Sequence, residues 1–247
     1  MLRFEFRVHN TGAPFTLFDS ALMNSFSHAL PYLDRPFFAA GCCVPDWLTA
    51  CDRRCRTRKK SAALYVDSSD ETMRDIALGV VQHHEDDNWF HRSAIFNNLN
   101  MQLAIEFRDR YGNDHSMRPS LIGHVIIEMF LDWHLESKFP GSVRRYYEII
   151  STTDPIKIES AINQFATRPT QKLAPAIERF LDERYVFDYE TDAGVRYRMN
   201  RVLQRIKLEP MPEASETWLA EVRQRVYRES DSLLADFKWE TVHPTNE

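Results

Sequence analysis

Two segments of this chain place ionisable side chains at four-residue spacing: His83, Asp87 and His91 in VVQHHEDDNWFH, and His124, Glu128 and Asp132 in GHVIIEMFLDWHL. Both segments read as helices, and residues three or four apart share one side of a helix, so each triplet projects from a single face. The first stripe runs on from Ile76 and Val80, and the second is interleaved with Leu121, Val125, Leu131 and Leu135, which a helix turns toward a core. Burying such groups unpaired costs several kcal/mol each. A fold that forms these helices must therefore pair the six with one another or with a cation.

The rest of the chain points to an all-α protein. Glycine is scarce, at 7 in 247 residues, few segments alternate with period two, and long stretches show helical periodicity. Helices are expected over Leu17 to Leu30, from near Asp46 as a shorter element, and from after Ser68 to about His91, with Ser68 and Glu71 as a capping box. SAIFNNLNMQLAIEFRDRYG ends at Gly112, a natural C′ residue, and RPSLIGHVIIEMFLDWHLESKFPG ends at Pro140-Gly141. Asp154-Pro155 opens a further helix with an N-cap followed by proline at the first helical position. Others fill Gln171 to Arg184, much of the stretch after Phe187, and Ser215 to Phe237.

The start of the chain differs. LRFEFRV alternates apolar and polar and runs into the turn signal HNTG, the pattern of an edge strand or loose arm, and Met23 reads as an alternative start. With no internal repeat, low-complexity tract or Gly/Ser linker, the chain divides into an extended N-terminal arm, 1–22, and one helical domain, 23–247.

Composition narrows the class. No apolar run approaches the roughly 20 residues needed to span a bilayer, and the N-terminus lacks the apolar core of a signal peptide, so a cytoplasmic protein is expected. A net charge of −5 argues against nucleic acid as a partner of the whole molecule. The charge is uneven, however. Arg53, Arg54, Arg56, Arg58, Lys59 and Lys60 form one basic run, either a solvated loop or a surface for phosphate or an acidic partner. Cys42, Cys43, Cys51 and Cys55 lack the paired CxxC of a zinc knuckle and form no disulfide framework.

Two further residues join the candidate site. His28 lies at the end of the first helix, and Asp46 follows the tight Gly41-Cys42-Cys43-Val44-Pro45. Imidazoles mixed with carboxylates suit Zn, Mn or Fe in preference to Ca. The candidate ligands are His28, Asp46, His83, Asp87, His124 and Asp132, with His91 and Glu128 as further ligands or as a general base orienting water. That number is enough for one or two ions, and a two-metal site serves phosphoryl transfer. Whether His83 or His84 is the ligand stays open.

The segments MNSFSHALPYLDRPFFAAGCCVPDW, VVQHHEDDNWFHRSAIF and RPSLIGHVIIEMFLDWHLESKF resemble the acyl carrier protein phosphodiesterase family, helical relatives of the HD-domain phosphohydrolases. Met23, Asn24, Phe26 and His28 fit that family's Met-Asn-Phe-Leu-Ala-His opening; Gly41 with Asp46-Trp47 fits its second element; His83 and Asp87 fit its third. This chain departs from the pattern at His91 and Glu128, each in place of an Asp, and at Trp133, where the family has a His after Asp132. His134 is one position off, and His124 is a candidate to compensate. The resemblance covers Met23 to Pro140. It implies an HD-domain-like bundle, a divalent metal, manganese above all, and hydrolysis of the phosphodiester joining 4′-phosphopantetheine to acyl carrier protein. The basic run would then dock that acidic protein.

Two other classes compete. A di-iron or di-manganese carboxylate bundle calls for Glu-x-x-His pairs on inward faces, and the only such spacing is Glu240/His243. A non-catalytic helical protein would bury the stripes as a polar network and use the basic run to bind an acidic partner.

Overall fold

The structure, a computed structural model, describes residues 25–112 and 118–237. All of its regular elements are helical: α1 (Ser25–Ala29) and a 3-10 turn (Leu30–Tyr32), α2 (Pro36–Cys51), α3 (Lys59–Ala62), α4 (Glu71–Phe90), α5 (Ala94–Tyr111), α6 (Pro119–Lys138), α7 (Ser142–Ser151), α8 (Pro155–Phe165), α9 (Leu173–Glu183), α10 (Asp192–Arg205) and α11 (Ser215–Leu233). No strand occurs among the described residues, and the all-α expectation holds. The expected N-terminal arm, the motif residues Met23 and Asn24, and the Glu240/His243 pair lie outside the described residues. Among the described residues no helix is long and apolar enough to cross a membrane.

Local chemistry explains most boundaries. Ser93 caps α5 by accepting from Phe96 N, and Gly112 ends that helix at φ 107°, a conformation other residues rarely adopt. Asp154 accepts from the backbone N–H groups of Ile156 and Lys157 ahead of Pro155, which opens α8 as the sequence indicates. Two expectations need correction. The cap of α4 is Asp70, whose side chain accepts from Met73 N at 3.2 Å, so the Ser68/Glu71 box does not form. Nor does a short helix begin near Asp46: α2 starts ten residues earlier, at Pro36, and runs through Pro45. Eleven of its sixteen residues are buried, among them Phe38, Val44, Trp47 and Leu48. Apolar burial of that order, at ~1.5–3 kcal/mol for each large side chain, outweighs the ~3 kcal/mol cost of an internal proline.

Two long helices sit at the centre of the packing. α2 packs on α1, α4, α7, α8 and α9, while α6 packs on α1, α5, α10 and α11. Short α1 touches α2, α4 and α6, and this brings His28 between the two groups. α6 is buried on nearly every side, from Ile122 through Leu135, so Glu128 and Asp132 lie in the interior rather than along the edge of an apolar stripe.

The crossing of α2 with α4 is set by two glycines. A Cβ built on Gly79 would lie 2.8 Å from Gly41 Cα and 2.8 Å from Cys42 N, and one on Gly41 would lie 2.5 Å from Ile76 O. With hydrogen at both positions the backbones meet directly. His83, one turn beyond Gly79, then reaches the α2 backbone at Cys42, one residue past Gly41, and the Asp46 carboxylate one turn further on.

Candidate metal centre

The side chains named from the sequence converge from α1, α2, α4 and α6 into two groups. His28, Asp46 and His83 each offer one ligand atom, and these three atoms lie within 4.8 Å of one another; His91, His124 and Glu128 do the same. Asp87 stands between the groups. Its Oδ2 is 3.3 Å from His83 Nε2, and its Oδ1 is 3.4 Å from His28 Nε2 and 3.9 Å from His91 Nδ1. The stripes therefore do not face each other as two complete walls. α4 contributes His83 to one group, His91 to the other and Asp87 to both sides.

Orientation comes from the partners behind the ligands. His83 Nδ1 sits 2.9 Å from the Cys42 carbonyl, which fixes its N–H there and leaves Nε2 facing Asp87. His84 turns the other way, with Nε2 3.1 Å from the Thr57 carbonyl, so geometry selects His83 of the two. His28 Nδ1 lies 3.2 Å from Asp86 Oδ2, and Asp86 Oδ1 accepts from Gln82 Nε2 at 2.7 Å. Asp86 was not among the residues picked out from the sequence. The available signal was Gln82 one helical turn before it, a spacing at which amide and carboxylate pair.

In the second group Glu128 Oε1 takes both His124 Nε2, at 2.9 Å, and His91 Nε2, at 3.1 Å. Asp132 belongs to neither group. Its Oδ1 accepts the Ser27 N–H at 3.0 Å and so pins α1 next to His28. His134 packs its ring on Tyr227, 5.0 Å between centroids, away from the site; His124 supplies the imidazole beside Glu128.

The electrostatics are those of an acidic interior. Burial, with Asp87, Glu128 and Asp132 nearby, holds the Asp46 carboxyl well above its usual range despite His28. Burial likewise pushes Asp132 up to about 7, against the Ser27 bond. Burial would also raise Asp87 and Glu128, but His28 and His83 hold the first far below the carboxylate range, and His124 and His91 lower the second. Asp46 Oδ2 and Glu128 Oε2 are buried with no hydrogen-bond partner, and His28 Nε2 makes no well-aligned hydrogen bond. Unpartnered buried oxygens on two neighbouring carboxylates, beside four imidazoles of which His28 and His83 are tied down through their far nitrogens, are a donor set that fits a divalent cation.

The first group is closed and the second open. His28 and His83 are 5% and 3% exposed, whereas His91, His124 and Asp87 are 31%, 27% and 34% exposed. Beside His28 a cavity of ~30 Å³, lined in part by Ser27, Asp86, Leu234 and Phe237, has the volume of about one water.

Compared with family models, curated proteins and solved structures, the chain matches none.

The basic run lies on the loop leaving α2 and on α3, and Arg53, Arg54, Arg56, Arg58, Lys59 and Lys60 are all exposed. That loop is tied to the helix bearing the ligands by the His84 bond to the Thr57 carbonyl and by a 3.0 Å pair between Lys59 and Glu85. Burial first, and then the charges of Arg53 and Arg56 close by, lower the neighbouring Arg205 to about 10. All four cysteines are buried and free; Cys43 donates to the Ala39 carbonyl and Cys55 to that of Arg168. No cysteine belongs to a ligand group among the described residues.

Replacing Asp86 with alanine should leave His28 free to turn, and divalent-metal affinity should fall about 10–100-fold, the usual effect of losing an outer partner of a ligating histidine. Competition against a chelating dye measures this. Affinity equal to wild type would remove Asp86 from the site.

Proposed function

We propose that this chain is a metal-dependent phosphodiester hydrolase. The observation that carries the reading is the pair of triplets, unpartnered Asp46 Oδ2 with His28 and His83, and unpartnered Glu128 Oε2 with His91 and His124, with Asp87 lying between them. His28, Asp46 and His83 would hold one cation and His91, His124 and Glu128 a second, with Asp87 oriented toward both. Manganese, iron and zinc suit this mixture of imidazole and carboxylate; the motif resemblance favours manganese. A bound divalent cation supplies hydroxide near neutral pH and offsets the charge on a transferring phosphoryl group.

The protein's own part is positioning. The first triplet lies away from bulk solvent, with room for about one water beside His28, while His91 and His124 present the open side from which a phosphate ester approaches. His91, linked both to Asp87 and to Glu128, is the member able to pass a proton outward to solvent. The exposed arginines from Arg53 to Arg58 supply complementary charge for an acidic, phosphate-bearing protein such as acyl carrier protein.

Hydrolysis of bis(p-nitrophenyl) phosphate by the full chain, with and without added Mn²⁺, tests this reading. Turnover that depends on the metal is expected; no turnover with Mn²⁺, Fe²⁺ or Zn²⁺ ends it. With phosphopantetheinylated acyl carrier protein as substrate, replacing Arg53, Arg54, Arg56 and Arg58 by glutamine should raise KM more than it lowers kcat. Unchanged KM would remove the docking role.

A further inference from the structure

The two ligand triplets differ in what stands behind their imidazoles. In the first, His83 and His28 are each fixed through Nδ1, by the Cys42 carbonyl at 2.9 Å and by Asp86 Oδ2 at 3.2 Å. In the second, His91 and His124 bring their Nε2 atoms to the same Glu128 oxygen. His91 Nδ1 is 3.9 Å from Asp87 Oδ1, too far for a hydrogen bond, and His124 Nδ1 has no hydrogen-bond partner among the described residues.

Aromatic rings take over the support there. Phe96, itself buried, meets the His124 ring edge-on at 5.0 Å between centroids and the His91 ring at 5.2 Å, with Phe90 packed on it at 4.7 Å. It sits in the first turn of α5, which Ser93 caps and which Asn97 Nδ2 ties to the His91 carbonyl at 2.9 Å. Ring packing restrains the tilt of an imidazole. A hydrogen bond behind the ring also fixes its tautomer, so the first triplet is the better organised of the two.

Access to water separates them further. The cavity beside His28 has room for about one water, and its other walls include Phe90, Leu131, Leu234 and Phe237. An ion leaves a protein site by exchanging its ligands for water, and an apolar shell of this kind limits that exchange. His91, His124 and Asp87 are each about a third exposed, so water reaches the second triplet directly.

We propose, on the metal centre of the hydrolase reading, that the chain retains its two ions unequally: His28, Asp46 and His83 keep a resident ion, while His91, His124 and Glu128, positioned by Phe96, keep one that exchanges with solution. Turnover then follows the free metal concentration through the second triplet alone, which makes the open site a sensor of metal supply. Phe96 is a positioning residue and acts through the two imidazoles.

Release of Zn²⁺ from the loaded full chain to excess 4-(2-pyridylazo)resorcinol, followed by stopped-flow absorbance, tests this without reference to turnover. Two phases of equal amplitude are expected. Their rates should differ at least about tenfold, because outer partners of ligating histidines shift metal affinity by about 10–100-fold and affinity differences lie mostly in dissociation. Phe96→Leu should speed the fast phase or remove its amplitude and leave the slow phase as in wild type, and that unchanged phase shows the fold to be intact. Asp86→Ala should do the converse, which keeps the test decisive if Phe96→Leu does not fold. A single phase, from one ion or from two leaving together, overturns the proposal. So does a Phe96 variant that moves both phases or neither, or an Asp86 variant that leaves the slow phase unchanged. Absence of any bound metal ends the metal centre and the proposal with it. Two phases without phosphodiester turnover support the proposal and end the hydrolase reading alone.

Discussion

Asp87→Ala should leave the purified protein with near-zero bound metal, against one or two divalent ions per chain in wild type. Among the described residues it is the carboxylate paired with imidazoles of both ligand groups, placed against His28, His83 and His91 at once. Without it His28 and His83 lose the shared carboxylate that faces their Nε2 atoms, and the buried Asp46 and Glu128 oxygens lose the group between them. A ligand's loss exceeds that of an outer partner, so affinity should fall by more than about 100-fold, and any metal-dependent turnover with it. Elemental analysis of protein prepared without chelator measures the effect. Asp132→Asn is the informative comparison. Asp132 takes the Ser27 N–H, and an amide oxygen of the same shape keeps that bond, so this variant should retain its metal. Equal metal in Asp87→Ala and wild type would sink the site; loss of metal in Asp132→Asn would make Asp132 a ligand after all.

Gly79→Ala should cost about 2 kcal/mol or more of stability, a fall in Tm of roughly 4–8 °C for a chain of this size. Helix propensity alone predicts the opposite, since alanine is favoured over glycine in a helix interior by ~1 kcal/mol. Packing decides the sign. The new methyl would lie 2.8 Å from both Gly41 Cα and Cys42 N, and these are backbone atoms that cannot rotate away. α2 and α4 must separate, and the 2.9 Å link from His83 to the Cys42 carbonyl goes with them. Metal affinity should therefore fall together with the Tm, although Gly79 touches no ligand. Calorimetry with and without metal separates the two effects. A Tm at or above that of wild type would show that the crossing tolerates a side chain.

Much of the helical layout was legible because it depends on neighbours in sequence. Ser93, Gly112 and Asp154-Pro155 mark helix ends by chemistry that acts within one turn. The stripes were legible for the same reason: four-residue spacing fixes which side chains share a face, whatever the helix packs against. The start of α2 was not legible, because Gly41 and Pro45 both disfavour a helix locally. Burial along most of this helix overrides them, and Gly41 is the point where α4 comes closest. Asp70 was overlooked as a cap because Ser68 offered a more familiar pattern two residues earlier.

By itself, then, the sequence determined that the chain is helical and that His83, Asp87 and His91 on one helix and His124, Glu128 and Asp132 on another face inward. Periodicity and burial cost require no more than that. Only the tertiary structure decided the partition: His28 and Asp46 with His83, His91 with His124 and Glu128, Asp87 between them, and Asp132 turned to the backbone of Ser27. The choice of His83 over His84 and the use of Asp86 behind His28 were decided there too. The physical reason is distance along the chain. Which atom an imidazole or carboxylate finally faces depends on groups brought from other helices, and their approach is set by the meeting of Gly41 with Gly79 and by the wedge of α1 between α2, α4 and α6.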